Sequence, residues 1–265
     1  MTVSCLYVPG DRPERFAKAL ASGASAVILD LEDAVSLDAR AAVVDHLGSV
    51  VPGVEQWVRI NTGDRGRADL DAVAGRPGLT GVFVPKATVA SLADLSGVAG
   101  VPRCALVETA ATLEELPALA RSGVFALAMG EVDLAADLGV EPSPDDRELW
   151  PLRMQVVVAS AAAGLEPPIG PVTTAIPDLD GLRSRTEGLR RAGFGAGQAI
   201  HPSQVPVIND VMTPTDEQVE RAEALLRLAE AAGGGVTVDD HGRMIDEAVL
   251  RSARRTIAAA SAPLR

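Results

Sequence analysis

Short apolar runs alternate with amphipathic stretches along most of the chain. Residues 4–9 (SCLYVP), 25–30 (SAVILD), 56–60 (QWVRI), 80–85 (TGVFVP), 104–107 (CALV), 124–129 (VFALAM), 168–172 (PIGPV) and 196–200 (AGQAI) read as strands. Near-continuous apolarity over so few residues marks strands buried on both faces, as in a parallel sheet covered by helices. Between them, PERFAKALASG, DARAAVVDHLGSV, ATLEELPALARSG and PDLDGLRSRTEGLRRAG carry helical spacing. Gly23, Gly123, Gly164 and Gly193 stand where such helices are expected to stop. Eight strand–helix units within about 210 residues predict an α/β fold, a (β/α)8 TIM barrel. The rival is an open doubly wound sheet, which the first run disfavours because no Gly-rich nucleotide loop follows it. The seventh and eighth runs are rich in Gly and Pro and carry the weakest strand signal.

Beyond residue 210 the texture changes. TDEQVERAEALLRLAEAA opens with a capping-box pattern, Thr215 and Gln218, and carries an apolar stripe at Val219, Ala222, Leu225, Leu226 and Ala229. Three glycines, 233–235, then break the chain before a last amphipathic stretch. Residues 1–210 are therefore expected to form the barrel and its catalytic domain. Residues 211–265 are expected to form a C-terminal helical extension, a lid or oligomerisation segment joined by a flexible elbow.

Composition narrows this picture. Apolar residues make up 47% of the 265, ample for a full core, whereas aromatics make up only 3%. The core is thus expected to be built from Ala, Val, Leu and Ile. A formal net charge of −12 argues against nucleic acid or an anionic membrane as the main partner, without excluding small anions met by a local basic cluster. The start has no basic leader, and no apolar run reaches the roughly 18 residues of a membrane span. Cys5 and Cys104 both fall inside strand runs, which fits reduced core thiols in a cytoplasmic protein.

Polar residues gather where the predicted strands end. Asp30, Glu32 and Asp33 follow the second, Arg59 and Asn61 the third, Lys86 the fourth and Glu108 the fifth. Glu131 and Asp133 follow the sixth and His201 the eighth. In a parallel barrel all of these positions share the C-terminal rim, where catalytic residues sit. Glu108 and Asp133 lie 25 residues apart, about one unit. Two rim carboxylates make a hard oxygen site that suits Mg2+, with water and substrate completing the octahedron. Glu131 competes with Asp133 as the second ligand, and an ion pair of Glu108 with Arg59 or Lys86 is the purely structural alternative. Glu32 and Asp33, with Asp30, are expected to hold metal-bound waters, orient Lys86 or cap the next helix. Arg59, between Val58 and Ile60, offers a planar fork to a carboxylate or enolate oxygen. Arg12, Arg15 and Lys18 lie near a predicted helix start, where a phosphate can bind. His201 reads either as a base or as a hydrogen-bonded structural histidine; His46 and His241 receive no role.

Taken together, LYVPGDRPERFAKALASGASAVILDLEDAV, VRIN, VPK, LVETA, MGEVDLAADLG, GFGAGQAIHPSQ and GRMID, in this order, resemble the citrate lyase β-subunit-like branch of the HpcH/HpaI aldolase family. The resemblance runs from about residue 4 to about residue 250. It implies a (β/α)8 barrel, a homotrimer, Mg2+ and coenzyme A as part of the substrate. It implies Glu108 and Asp133 as metal ligands and Arg59 as the group holding the keto-acid portion. Arg12 and Lys86 match positions near the substrate or coenzyme A. Asp246 matches an acid/base carried by the C-terminal segment, which in relatives closes over a neighbouring subunit's site. Two stretches depart from the pattern: GAGQ where relatives often have a GK step, and AIPDLD where they often show AID. The implied activity is Mg2+-dependent carbon–carbon cleavage of a 3-hydroxyacyl-CoA of the malyl-, citramalyl- or citryl-CoA type. Its products are an acyl-CoA and a 2-keto acid. A thioesterase, a CoA-independent keto-acid aldolase and a non-catalytic subunit of a complex are the alternatives.

Overall fold

The computed structural model describes residues 2–32, 39–231, 237–239 and 242–261. It divides into two compact units, residues 2–212 and residues 213 onward. In the first unit eight parallel strands pair in chain order: β1 (Ser4–Pro9), β2 (Ala26–Asp30), β3 (Glu55–Arg59), β4 (Gly81–Val84), β5 (Arg103–Val107), β6 (Ala126–Met129), β7 (Ile169–Gly170) and β8 (Ala196–Ala199). β8 pairs back onto β1, with Ser4 against Gly197, Cys5 against Gln198 and Leu6 against Ala199. That closure excludes the open sheet and gives the (β/α)8 barrel. Around it run α1 (Phe16–Leu20), α2 (Ala39–His46), α3 (Gly63–Val73), α4 (Val89–Asp94) and α5 (Ala110–Ala120). α6 (Glu131–Leu138) and α7 (Trp150–Ala163) both lie between β6 and β7, and α8 (Leu179–Ala192) and α9 (Val205–Met212) complete the ring.

Helix ends follow the sequence chemistry. α7 and α8 stop at Gly164 and Gly193, each in the left-handed conformation that glycine adopts without steric cost. Thr88 caps α4 and Thr109 caps α5 by accepting the N–H three residues on.

The barrel interior departs from the expectation for so few aromatics. Three of the seven rings, Tyr7, Trp57 and Phe83, meet there. Trp57 and Phe83 meet edge-on with centroids 5.5 Å apart, and Tyr7 meets Phe83 at 6.4 Å. Around them the other strands contribute small side chains, Cys5, Ala26, Cys104, Ala126, Ala128 and Ala196, with Ile28, Leu106 and Ile169 filling between. Large and small residues thus divide a narrow interior, as a closed barrel requires. Cys5 and Cys104 are both buried and unpaired, and burial pushes both thiols up, so neither behaves as a nucleophile.

The second unit is a helical hairpin. α10 (Asp216–Ala231) starts at the Thr215–Gln218 capping box, each side chain bonding the other's backbone N–H. A short antiparallel pair, β9 (Thr237–Val238) and β10 (Met244–Ile245), leads into α11 (Glu247–Ser261). Ala229, Ile245 and Leu250 form its core with Leu225, Leu226 and Val249 against them. The glycine elbow at 233–235 and His241 lie outside the described residues. No described helix is long and apolar enough to cross a membrane.

Candidate active site

The parallel register brings the rim residues into contact. Asp30 pairs directly with Arg59 across β2 and β3, so the two side chains leave the sheet side by side. The Arg59 guanidinium grips both Asp30 oxygens, Nε to Oδ1 at 2.7 Å and Nη2 to Oδ2 at 2.6 Å. Its Nη1 stands 3.0 Å from Glu32 Oε2. Val58 and Ile60 face away into the helix layer, fully buried, which turns Arg59 inward over the Tyr7 ring at 5.1 Å. Burial works against the Arg59 charge, but the hydrogen bonds and charge of Asp30 outweigh it and hold the guanidinium above its ordinary value.

Glu32 links this pair to Lys86. Its backbone N–H donates to Asp30 Oδ1 at 3.0 Å, and its Oε1 accepts the Lys86 amine at 2.7 Å. Of the three roles foreseen for the acidic trio, the one the structure displays for Glu32 is orienting Lys86. Asp33 lies outside the described residues. Lys86 itself has φ 47°, a left-handed backbone uncommon outside glycine. That turn, just after Pro85, points its N–H at Glu108 Oε1, 2.6 Å away, while its amine reaches Glu32.

Among the described residues, Glu108 is therefore met by a backbone N–H and by no ion pair. Arg59 and the Lys86 amine are both directed at other carboxylates. With 2% exposure, burial, then the Glu32 charge, push the Glu108 carboxyl up to about 7. The Lys86 N–H and charge pull the other way, and Asp133 adds a further upward push. The ion-pair alternative for Glu108 is not what the chain folds into.

Glu131 and Asp133 separate cleanly. Glu131, buried at the first position of α6, receives a two-pronged grip from Arg153, Nε at 2.6 Å and Nη2 at 2.7 Å. Asp133, two residues on, is exposed at the rim and lies near enough to Glu108 to shift it. A carboxylate held so tightly by arginine is a poor metal ligand, so Asp133 is the better partner for Glu108. Among the described residues no group of three or more His, Cys, Asp or Glu side chains gathers at metal distance. The donor set that fits is two hard carboxylates, one buried without a counter-cation. Such a pair suits Mg2+ with most of its shell left to water and substrate oxygens. At Gly130, a Cβ would stand 2.5 Å from Glu108 Oε2 and 2.7 Å from its Cβ, so only glycine lets the β6–α6 turn pass this carboxylate.

The remaining foreseen residues are placed as follows. Arg12 is exposed in the turn after β1, ahead of a single 3-10 turn at Pro13–Arg15. Asn61 holds the rim after β3, donating to Leu31 O and to buried Asp69, which Arg40 also grips. His201 caps a 3-10 turn, its Nδ1 accepting from the Ser203 N–H at 3.2 Å, which favours its structural reading. Asp246 caps α11, its Oδ1 accepting the Val249 N–H at 3.0 Å.

Three contributors were not foreseen. Tyr7, beneath Arg59, donates its hydroxyl to Gln198 Oε1 at 2.8 Å. The Gln198 amide in turn donates to Met129 O at 2.8 Å and Gly170 O at 2.9 Å. Arg153, fully buried behind α6, is the third. Tyr7 and Gln198 sit in runs that read only as strand, and Arg153 in a run that reads only as helix.

The sequence profile described as HpcH/HpaI aldolase/citrate lyase matches residues 3–202. A (3S)-malyl-CoA thioesterase of Cereibacter sphaeroides is 35% identical, the match covering 98% of this chain and 94% of that protein. A citrate lyase subunit beta-like protein of Mycobacterium tuberculosis is 34% identical over 94% of this chain and 92% of its own length. Among solved structures, CitE of M. tuberculosis in complex with magnesium, acetoacetate and coenzyme A superposes with a TM-score of 0.82, 32% identity and 98% of each chain covered.

Proposed function

Because the chain belongs to the HpcH/HpaI aldolase/citrate lyase family, we propose that it is a Mg2+-dependent carbon–carbon lyase acting on a 3-hydroxyacyl-CoA. The substrate is of the malyl-, citramalyl- or citryl-CoA type, and the products are an acyl-CoA and a 2-keto acid. The observation that carries this reading is Glu108, a buried carboxylate at the rim that forms no ion pair with any described arginine or lysine. Glu108 and Asp133 would hold the metal. When bound, Mg2+ supplies Lewis acidity toward the hydroxyl and carboxylate oxygens of the substrate.

The protein's own groups do the rest. Arg59, fixed in orientation by Asp30 and Glu32, presents cationic N–H groups to the carboxylate of the departing keto acid. Lys86 and Arg12 supply positive charge to the acyl-CoA on a chain that is otherwise acidic. As a base takes the hydroxyl proton, the hydroxyl carbon becomes the carbonyl of the keto acid and the bond to the thioester α-carbon breaks. The bonding pair leaves as the thioester enolate, and Asp246 returns a proton to that carbon. In this reading Asp246 arrives on the C-terminal segment of a neighbouring copy in a homotrimer. Positioned acid–base catalysis is worth about 10²–10⁴-fold, so Asp246→Ala should lose that much turnover while staying folded, with only the loss of about 0.5–2 kcal/mol that removing the α11 cap brings. Wild-type rates from that variant would remove Asp246 from the mechanism.

A second reading has its own support: the relative named a (3S)-malyl-CoA thioesterase. In that case water cleaves the thioester and leaves the hydroxy acid whole. One assay separates the two. The protein is incubated with a panel of hydroxyacyl-CoA esters in Mg2+ or EDTA, and products are read by mass spectrometry. Short acyl-CoA and a keto acid, formed only with Mg2+, support the lyase. Free CoA with an intact hydroxy acid supports the thioesterase and overturns the lyase.

A further inference from the structure

Arg153 has no place in the mechanism above, yet it is the largest side chain that the barrel buries completely. Its guanidinium holds Glu131 through two parallel bonds, and its Nη2 also reaches Asp146 Oδ2 at 3.2 Å. The Trp150 ring lies beneath it at 4.6 Å. Asp146 is drawn in from the other side by Arg185 of α8, 3.0 Å away. To present that carboxylate, Asp146 adopts φ 52°, a left-handed conformation uncommon outside glycine. The result is a four-membered chain of alternating charge, buried at Glu131, Arg153 and Asp146 and half-buried at Arg185.

Stability alone is a weak reason for such a chain. Buried ion pairs lose much of their Coulombic gain to desolvation, and apolar replacements are often no less stable. What a two-pronged arginine–carboxylate pair does supply is fixed direction as well as distance. Here it acts on a sensitive element. Glu131 opens α6, Gly130 before it passes Glu108 too closely for any Cβ, and Asp133 follows within the same helical turn. A small rotation of α6 would drive Gly130 into Glu108 or swing Asp133 away from it.

We propose that Arg153 is a positioning residue for the metal pair: by fixing the start of α6 through Glu131, it sets where Asp133 stands relative to Glu108. This rests on the metal reading given above and deepens it.

The test is calorimetric titration of the full-length protein with MgCl2, without substrate, beside melting curves in EDTA. Arg153→Lys keeps the charge but loses the fork, and the double variant Arg153→Met with Glu131→Met removes the pair without orphaning either charge. Both are expected to unfold cooperatively in EDTA yet bind Mg2+ about 10–100-fold more weakly, the range for lost outer support of metal ligands. Saturating Mg2+ should then recover most of kcat. A merely structural role would lower the melting temperature and leave Mg2+ affinity within twofold of wild type, and that result would overturn the proposal. If Arg153→Lys does not fold, the double variant and Arg185→Gln, which removes the ion pair to Asp146, decide by the same criterion. Wild-type protein that shows no Glu108-dependent Mg2+ binding would instead defeat the metal reading itself. Failure of the two ideas is thus distinguishable.

Discussion

With burial and the Glu32 charge holding its carboxyl up at about 7, Glu108 makes folding and metal binding respond to pH in opposite directions. In the metal-free protein its pKa is raised relative to the unfolded chain, so the folded state holds the proton more tightly. The stabilisation this gives is fully present below about pH 4.5 and lost as pH rises through about 7. The loss is on the order of 3 kcal/mol at alkaline pH. Glu108→Gln should therefore melt higher than wild type at pH 8 in EDTA, and the difference should vanish near pH 5. A wild-type protein with no such alkaline penalty would show that Glu108 is better solvated than its burial indicates. Metal binding needs the carboxylate, so Mg2+ affinity should fall about tenfold per pH unit below 7. Calorimetry at pH 6, 7 and 8 checks this. The sequence exposed Glu108 as a charge at the end of a buried run, because the position alone is anomalous. Spacing alone left Glu131 and Asp133 undecided and only the family resemblance pointed to Asp133, because the Arg153 grip on Glu131 comes from 22 residues away.

Among the elements, α6 and the turns at its two neighbours decide the site. Gly130→Ala places a methyl group against Glu108 and forces α6 or the carboxylate to move. We expect Mg2+ affinity to fall by at least about tenfold with a stability loss of about 1–3 kcal/mol, the range for overpacking. Unchanged affinity in a titration would mean that the turn has slack the structure does not show. Eight strands and the glycine stops of α7 and α8 were legible, because buried parallel strands and left-handed glycines are written in local composition, whereas α1 and α5 end at Leu20 and Ala120, before the glycines expected to stop them. The inward ring trio Tyr7, Trp57 and Phe83 was not, since which face of a strand points into a barrel depends on closure. Arg153 was hidden for a similar reason. WPLRMQVVVASAAA reads as a helix with one charged position, and nothing local says that the charge is turned inward.

For the molecule as a whole, the division near residue 212 puts Glu108 and Asp133 in one unit and Asp246 in the other, so under the proposed function the metal pair and the proton donor belong to different units. A chain ended after Met212 should keep a cooperative melt and a Mg2+ response, having every rim residue, but should lose turnover with Asp246. Retained turnover would place the acid–base group in the barrel. The barrel's own weak place is β7, only Ile169 and Gly170, which meets β6 at the single pair Ala128 and Ile169. Gln198 makes up the shortfall from β8, its amide joining Met129 O on one side to Gly170 O on the other, with Tyr7 holding the amide in place. Gln198→Leu strands three polar groups, at a cost of about 2–4 kcal/mol. The consequence concerns how the ring breathes. A closed sheet has no edge at which to fray, yet one stave here is clasped by a side chain and hardly by its own backbone. Hydrogen exchange should find the amides of β7 opening well before those of β1–β5, and in Gln198→Leu the rupture should begin there and run to β8. Glu108 and Arg59 would remain on the half of the ring that stays shut.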